Sequence, residues 1–417
     1  MRFSACLAVV FAATTSLFSQ QLVTVVPTAP RPVCILPDGD RMHVLTDRVD
    51  VNYNNVKDDG DQEATWQIVN AESYETIRTL TFPWAFVTAN RPAIDRETGL
   101  LYIGVGDTVW AYTTLTQQRS SEPVFVGSSV AVGLDEYNSH LFITQRTGFT
   151  DPGTLVDVNL LDRSTTSTTL EINPQMTIGR RGVFNNNMAI TVNEGNYGAN
   201  DGLLTFWDGT NVMTLGVGDT PNHIYVNPDA PSIGYVTCNG SHSVVVVELD
   251  GRYAIDTFAI PTSGYNGPRE CTSFDGLLYV TSYSADVFAL DAQTGALIYT
   301  LSIDAKVDAA GFYQNKLWVG RSYEKGEYAA VPNVNVYDIL LTDVQEVAPT
   351  TTTRRAYVVT GPTISIPALN PDRPLTLINM QGASSAVTVI DPATMTLNVD
   401  GVPAGVYVLT DGSTSVA

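Results

Sequence analysis

Cationic side chains recur at one position of this chain, a few residues ahead of a short apolar strand phrase: Arg31, Arg91, Arg180 with Arg181, His223, Arg269 and Lys306. Just behind the same phrases stand Arg146 and Phe149, Asn193, Glu194 and Tyr197, Asn239, Tyr283, and Arg321 with Tyr323. Guanidinium groups bind carboxylate or phosphate through two parallel hydrogen bonds, and aromatic rings stack on flat ligands. If folding brings these positions to one rim, they suit an anionic or conjugated small molecule. If they pair with Asp219, Glu270, Asp304, Asp308 or Glu324, they only close the loops between repeats. Arg31, Arg180, Lys306, Phe149 and Asn239 aside, all are expected to line a ligand site.

Catalytic chemistry is thinly represented. The sequence holds no H-E-x-x-H, no G-x-S-x-G, no phosphate-cradling Walker loop and no cysteine pair at zinc spacing. His43, His140, His223 and His242 stand alone, and of these only His223 falls at a strand lead-in. No catalytic residue is assigned, and binding is expected ahead of catalysis. In the acidic run from Lys57 to Glu63, Asp58, Asp59 and Asp61 offer oxygen ligands for calcium. Their spacing is not that of an EF-hand, and a solvated loop is the plainer reading; no other cofactor or metal is expected. Asp250, Asp291 and Asp338, at strand ends, read as turn caps.

The strand phrases themselves repeat. MHVLT at Met42, LLYIG at Leu100, HLFIT at His140, MAITV at Met188, GYVTC at Gly234, LLYVT at Leu277 and KLWVG at Lys316 make seven copies. Their spacing of roughly 40 to 60 residues is that of propeller blades. Each copy follows a polar turn, such as Asp275-Gly276. Several precede another strand ending in Asp, as in VFALDAQTG at Val287. One such meander cannot bury both of its faces, so it needs neighbours of its own kind. The expected fold is all-β, a seven-bladed β-propeller over 20–347 followed by a small C-terminal β-sandwich; two β-sandwiches, the alternative, need no repeat. LVTVV after Gln21 is expected to complete the last blade and close the ring.

A formal charge of −21 argues against a nucleic-acid partner, since phosphate backbones are bound by excess Lys and Arg. Arg2 and the apolar run Leu7 to Phe18 read as a signal peptide over 1–19, too short to span a bilayer. No later stretch is apolar enough for a transmembrane segment, so an extracellular or cell-surface location is expected. Cys34, Cys238 and Cys271 then remain, an odd number in apolar contexts. They read as buried thiols, with a Cys238–Cys271 bridge as the alternative. A Thr-rich linker is expected over 348–361 and a separate β-domain over 362–417.

Two resemblances add to this reading. Asn193-Glu194-Gly195-Asn196-Tyr197-Gly198 with Asn200-Asp201-Gly202 resembles the "NEGN(F/Y)G…NG" phrase of YVTN-type, YncE-like surface propellers, and Tyr279-Val280-Thr281 fits the same group. The resemblance covers most of residues 30 to 345 and implies a ligand-capturing surface protein; corrinoid binders are among its relatives. Asn370-Pro371, Val387 to Asp391 and Ala404 to Leu409 resemble the C-terminal sorting domain of type IX secretion cargo, although the basic closing residues of that domain are absent. That likeness implies a secretion-machinery partner.

The expected function is a secreted or surface propeller that captures a small molecule, glycan or surface protein on its loop face. A metal-assisted hydrolase, lyase or lactonase is the alternative, and it requires several of Asn193, Glu194, His223, Glu270 and Asp308 to converge on one point. A surface-layer or adhesion component is the third possibility.

Overall fold

The computed structural model describes residues 19–182 and 186–340, and the backbone of Arg355–Val359, Thr363–Ser365, Leu375–Asn379, Ser384–Asp391, Thr396–Asn398 and Gly405–Thr410. The expected signal peptide lies outside the described residues, apart from Ser19.

Among the described residues of the unit Phe18–Leu341, seven antiparallel sheets of four strands form a β-propeller with no helix. Blade 1 consists of Pro32–Asp38, Arg41–Thr46, Thr65–Asn70 and Thr76–Thr81. Blades 2 to 6 span residues 93–126, 130–172, 174–218, 221–259 and 268–302. Blade 7 combines Ala305–Tyr313, Lys316–Glu324 and Ala330–Leu340 with the N-terminal strand Ser19–Pro27. That strand pairs antiparallel with Ala330–Leu340, so the two ends of the ring share one sheet. The pairing covers an edge that would otherwise invite association.

All seven apolar phrases are second strands of their blades. Neighbouring blades cover both faces of these strands, which is why they read as continuous apolar runs instead of alternating ones. Leu277–Ser282 is buried throughout, whereas the fourth strand Thr76–Thr81 is almost wholly exposed and correspondingly polar. Between blades 1 and 2, Val33, Leu45 and Trp66 pack against Leu101, Ile103 and Tyr112. Hairpins join first to second strands: Asp275 and Gly276 both adopt positive φ, +49° and +75°, as a type I′ turn requires. Cys34, Cys238 and Cys271 are free, buried thiols.

The C-terminal strands form one antiparallel sheet in the order Arg355–Val359, Gly405–Thr410, Leu375–Asn379, Ser384–Asp391, Thr396–Asn398, Thr363–Ser365. Arg355–Val359 was expected in the linker; it is instead a strand paired with Gly405–Thr410, because its Ala-Tyr-Val-Val run has strand-forming side chains. The rest of the expected linker and the residues between these strands lie outside the described set.

Candidate functional site

First strands run from one rim of the ring to the other, so every strand lead-in emerges at the same rim, the mouth. Proline opens four of them, at Pro32, Pro174, Pro221 and Pro268, where its missing N–H costs no ladder bond. Hydroxyls near the ends of second strands then hold the next lead-in. Thr237 donates to the Arg269 carbonyl at 2.8 Å, Thr281 to the Asp308 carbonyl at 3.3 Å, and Ser322 to the Pro32 carbonyl at 2.7 Å. All three hydroxyl residues are fully buried, and each bond ties one blade to the next.

These lead-ins bring six charged side chains around one cavity of about 50 Å³, which also touches Val33, Asn90 and Tyr283. The six form three pairs. Arg31 meets Asp47 at 3.1 Å, and Arg269 meets Asp308 at 3.2 Å. Arg91 meets Glu270 across the mouth, and its Nη2 also donates to the Asn222 carbonyl at 3.4 Å. Tyr283 donates its hydroxyl to Asp308 Oδ1 at 2.7 Å while Arg269 lies 4.7 Å over its ring. Lys306 sits 3.4 Å over Tyr328, and Arg31 lies 5.2 Å from the ring of Tyr323. Tyr283, Tyr323 and Tyr328 pack edge to face, and Lys306 also lies 5.7 Å over the Tyr283 ring, so each ring faces at least one cation.

Burial decides the electrostatics here. It pushes the Glu270 carboxyl up to about 7 against the pull of Arg91. It also holds His223 well below its ordinary range, helped by Arg91 and Arg269, and His223 Nδ1 accepts the Cys271 N–H at 3.4 Å. A neutral imidazole in that position is a hydrogen-bond acceptor, not a charge. Burial opposes the charge of Arg269, yet Tyr283, Asp308 and Glu194 together keep that guanidinium protonated.

Beside this cluster, Arg146 donates to Asn173 Oδ1 at 2.8 Å and stacks on Phe149 at 4.4 Å. Asn173 and Gln175 both donate to Glu194 Oε2, at 2.6 and 2.7 Å. Burial raises the Glu194 carboxyl, with Arg269 and Arg146 acting against the shift.

Arg91, His223, Arg269, Tyr283 and Glu194 therefore share one electrostatic neighbourhood, with Arg146 and Tyr323 at its margins. Four residues are placed otherwise. Arg181 ends the first strand Pro174–Arg181, opposite Asn187 at the hairpin, and so lies on the far rim with Arg180. The strand is eight residues long, and its lead-in is Asn173. Asn193 turns into its own blade, where its amide donates to the Thr191 and Leu203 carbonyls and to Thr205 Oγ1, so it is a blade tie. Arg321 joins Asn333 Oδ1 to the Asp304 carbonyl within blade 7. Tyr197 is half exposed on its loop and stacks on Tyr265 with centroids 5.1 Å apart.

The mouth's three arginines each face a carboxylate: Glu270 and Asp308 take the pairing role weighed for them above, and Asp47 takes Arg31. Asp47, Asn173, Gln175 and Tyr328 were not anticipated. Asp47 follows the phrase MHVLT just as Tyr283 follows its own, so the repeat alignment held that signal. Asn173 was hidden by the length of its strand. Among the described residues, no group of three His, Cys, Asp or Glu side chains is arranged to hold a metal ion. In the acidic loop, Asp58 accepts from Asn52 and Asn54, and Asp61 accepts the N–H groups of Val51 and Asp58, all at 2.8 Å.

No protein family and no curated protein matches the chain. Solved structures do. The WD40 β-propeller domain of Doa1 is similar at 12% identity and TM-score 0.56, over 77% of this chain and 97% of that one. The β-propeller domain of Cps50 (Swd1) from Myceliophteria thermophila is similar at 10% identity and TM-score 0.56, over 77% and 100%. At such identities the likeness establishes the seven-bladed propeller and nothing about what is bound.

Proposed function

We propose that this protein is an exported capture propeller that binds a small polar ligand at the channel mouth without transforming it. One observation carries the reading: six buried or half-buried charged side chains from blades 1, 2, 6 and 7 meet at a single cavity, and three of these residues, Asp308, Arg31 and Arg91, each keep a buried polar atom without a partner. Buried polar atoms without partners are costly, so a site that keeps three of them is suited to a guest. The volume holds about three water molecules, which favours a compact ligand over a macrocycle such as a corrinoid.

Export is supported by the apolar run after Arg2, by the YVTN-like phrase from Asn193, and by the sorting-domain phrases after Asn370. Edman sequencing of the secreted chain should begin near Gln20; retention inside the producing cell would sink that part. For capture, the full chain is screened against small polar metabolites by thermal shift, followed by calorimetry of the hits. A blank screen would sink it.

Glycan capture is a second reading, favoured by the exposed stacked pair Tyr197 and Tyr265, since sugar rings pack on such aromatic faces. A glycan array probed with the parent and Tyr265→Ala chains tests it, loss of array signal in the variant being the expected result.

A further inference from the structure

Once Glu270 is ionised, the charges lining the cavity balance: Arg31, Arg91 and Arg269 against Asp47, Glu270 and Asp308. A phosphate or simple carboxylate entering the cavity meets as many carboxylates as guanidinium groups, and a simple ammonium meets as many guanidinium groups as carboxylates. Either single charge gains attraction from one half of the lining and repulsion from the other. A molecule with both charges carried by groups on one carbon meets no such conflict.

The unpartnered atoms have the same duality. Asp308 is 8% exposed, and its Oδ2 is a buried acceptor without a donor, while its Oδ1 already serves Arg269 and Tyr283. Arg31 Nε and Arg91 Nε are buried donors without acceptors. Each such atom has lost its water without gaining a partner, which costs stability. The residues that carry these atoms line the cavity, and a guest with one cationic donor and one anionic acceptor matches both kinds.

We infer that the mouth recognises the zwitterionic head of a small α-amino-acid-like molecule, its ammonium facing Asp308 and its carboxylate facing the Arg31 and Arg91 side of the lining. The inference rests on the capture reading and gives that site its ligand class. Room for about three waters suits the head of such a molecule.

The test is calorimetry of the full chain with glycine, L-alanine, acetate, methylammonium and inorganic phosphate. Glycine or L-alanine should bind saturably, with acetate and methylammonium each at least about tenfold weaker, which is about 1.4 kcal/mol. Asp308→Asn keeps an oxygen for Tyr283 and removes the charge. It should weaken glycine binding at least about tenfold and leave acetate binding unchanged or tighter. The comparison of glycine with acetate on the parent chain needs no variant, so poor folding of Asp308→Asn would not blunt it. Acetate or phosphate binding as tightly as glycine overturns the zwitterion and leaves capture standing. Failure of all five probes also overturns it, and capture itself falls only if the metabolite screen is blank as well.

Discussion

The two rims of the propeller are built from the same repeat and treat charge in opposite ways. At the mouth, guanidinium and carboxylate groups from different blades meet in partial or complete burial, as Arg91 does with Glu270 and Arg269 with Asp308. On the far rim, hairpins largely satisfy themselves: Asp291 Oδ1 accepts the N–H groups of Gln293 and Thr294 at 3.0 and 2.7 Å. The ion pair between Arg180 and Asp250 reaches across at 2.7 Å, but Asp250 stays 47% exposed. Lead-ins point toward the axis and hairpin turns point toward water. The same residue types are therefore strongly coupled at one end and nearly independent at the other.

Breaking a pair at each rim should give the widest contrast. Arg269→Met strands Asp308 and leaves Glu194 without its strongest opposing charge, and is expected to destabilise the chain by about 3–5 kcal/mol in urea unfolding. Arg180→Met, on the far rim, should cost about 1 kcal/mol or less by the same measurement. Equal losses would dissolve the distinction. Arg269 is thus a tie between blades whatever else it binds, and charge reversal there is unsuitable as a clean probe of ligand affinity.

A pH series sharpens the contrast further. Burial pushes Asp135, whose Oδ2 accepts the Gly179 N–H at 2.7 Å, up to about 7, the same value as Glu270. A carboxyl that holds its proton more tightly folded than unfolded adds stability below the ordinary carboxyl range and loses it as pH rises through about 7. Between pH 5 and 8 each of these two carboxyls should therefore add a falling slope to the unfolding free energy measured in urea, worth roughly 2–3 kcal/mol per group, against the opposite slope of His223. Asp135→Asn and Glu270→Gln should each flatten that slope, and an unchanged slope in both would refute the assignment. The smallest effect is expected from Tyr197→Ala: its ring is half exposed, and thermal unfolding should move by no more than about 0.5 kcal/mol.

Much of the architecture was legible before any coordinates. The seven apolar phrases are the seven second strands, because a strand buried on both faces needs an unbroken apolar run that no loop would carry. The closing strand after Gln21 was equally plain. The site was only half legible. Arg91, Arg269 and Tyr283 sit where the repeat alignment predicts, whereas Arg181 falls on the far rim because its strand is longer than the spacing from Met188 suggests. Asn193 turned inward because Thr191, Leu203 and Thr205 offer it buried partners, which a linear phrase does not reveal.

Sequence by itself determined the number of blades and the rim on which most lead-ins gather, since both follow from a local pattern of apolar strands and polar turns. Only the tertiary structure decided which charges face one another. Arg91 and Glu270 are 179 residues apart, and ring closure alone brings them into contact. A rim that looked cationic along the chain is, in space, a balanced one.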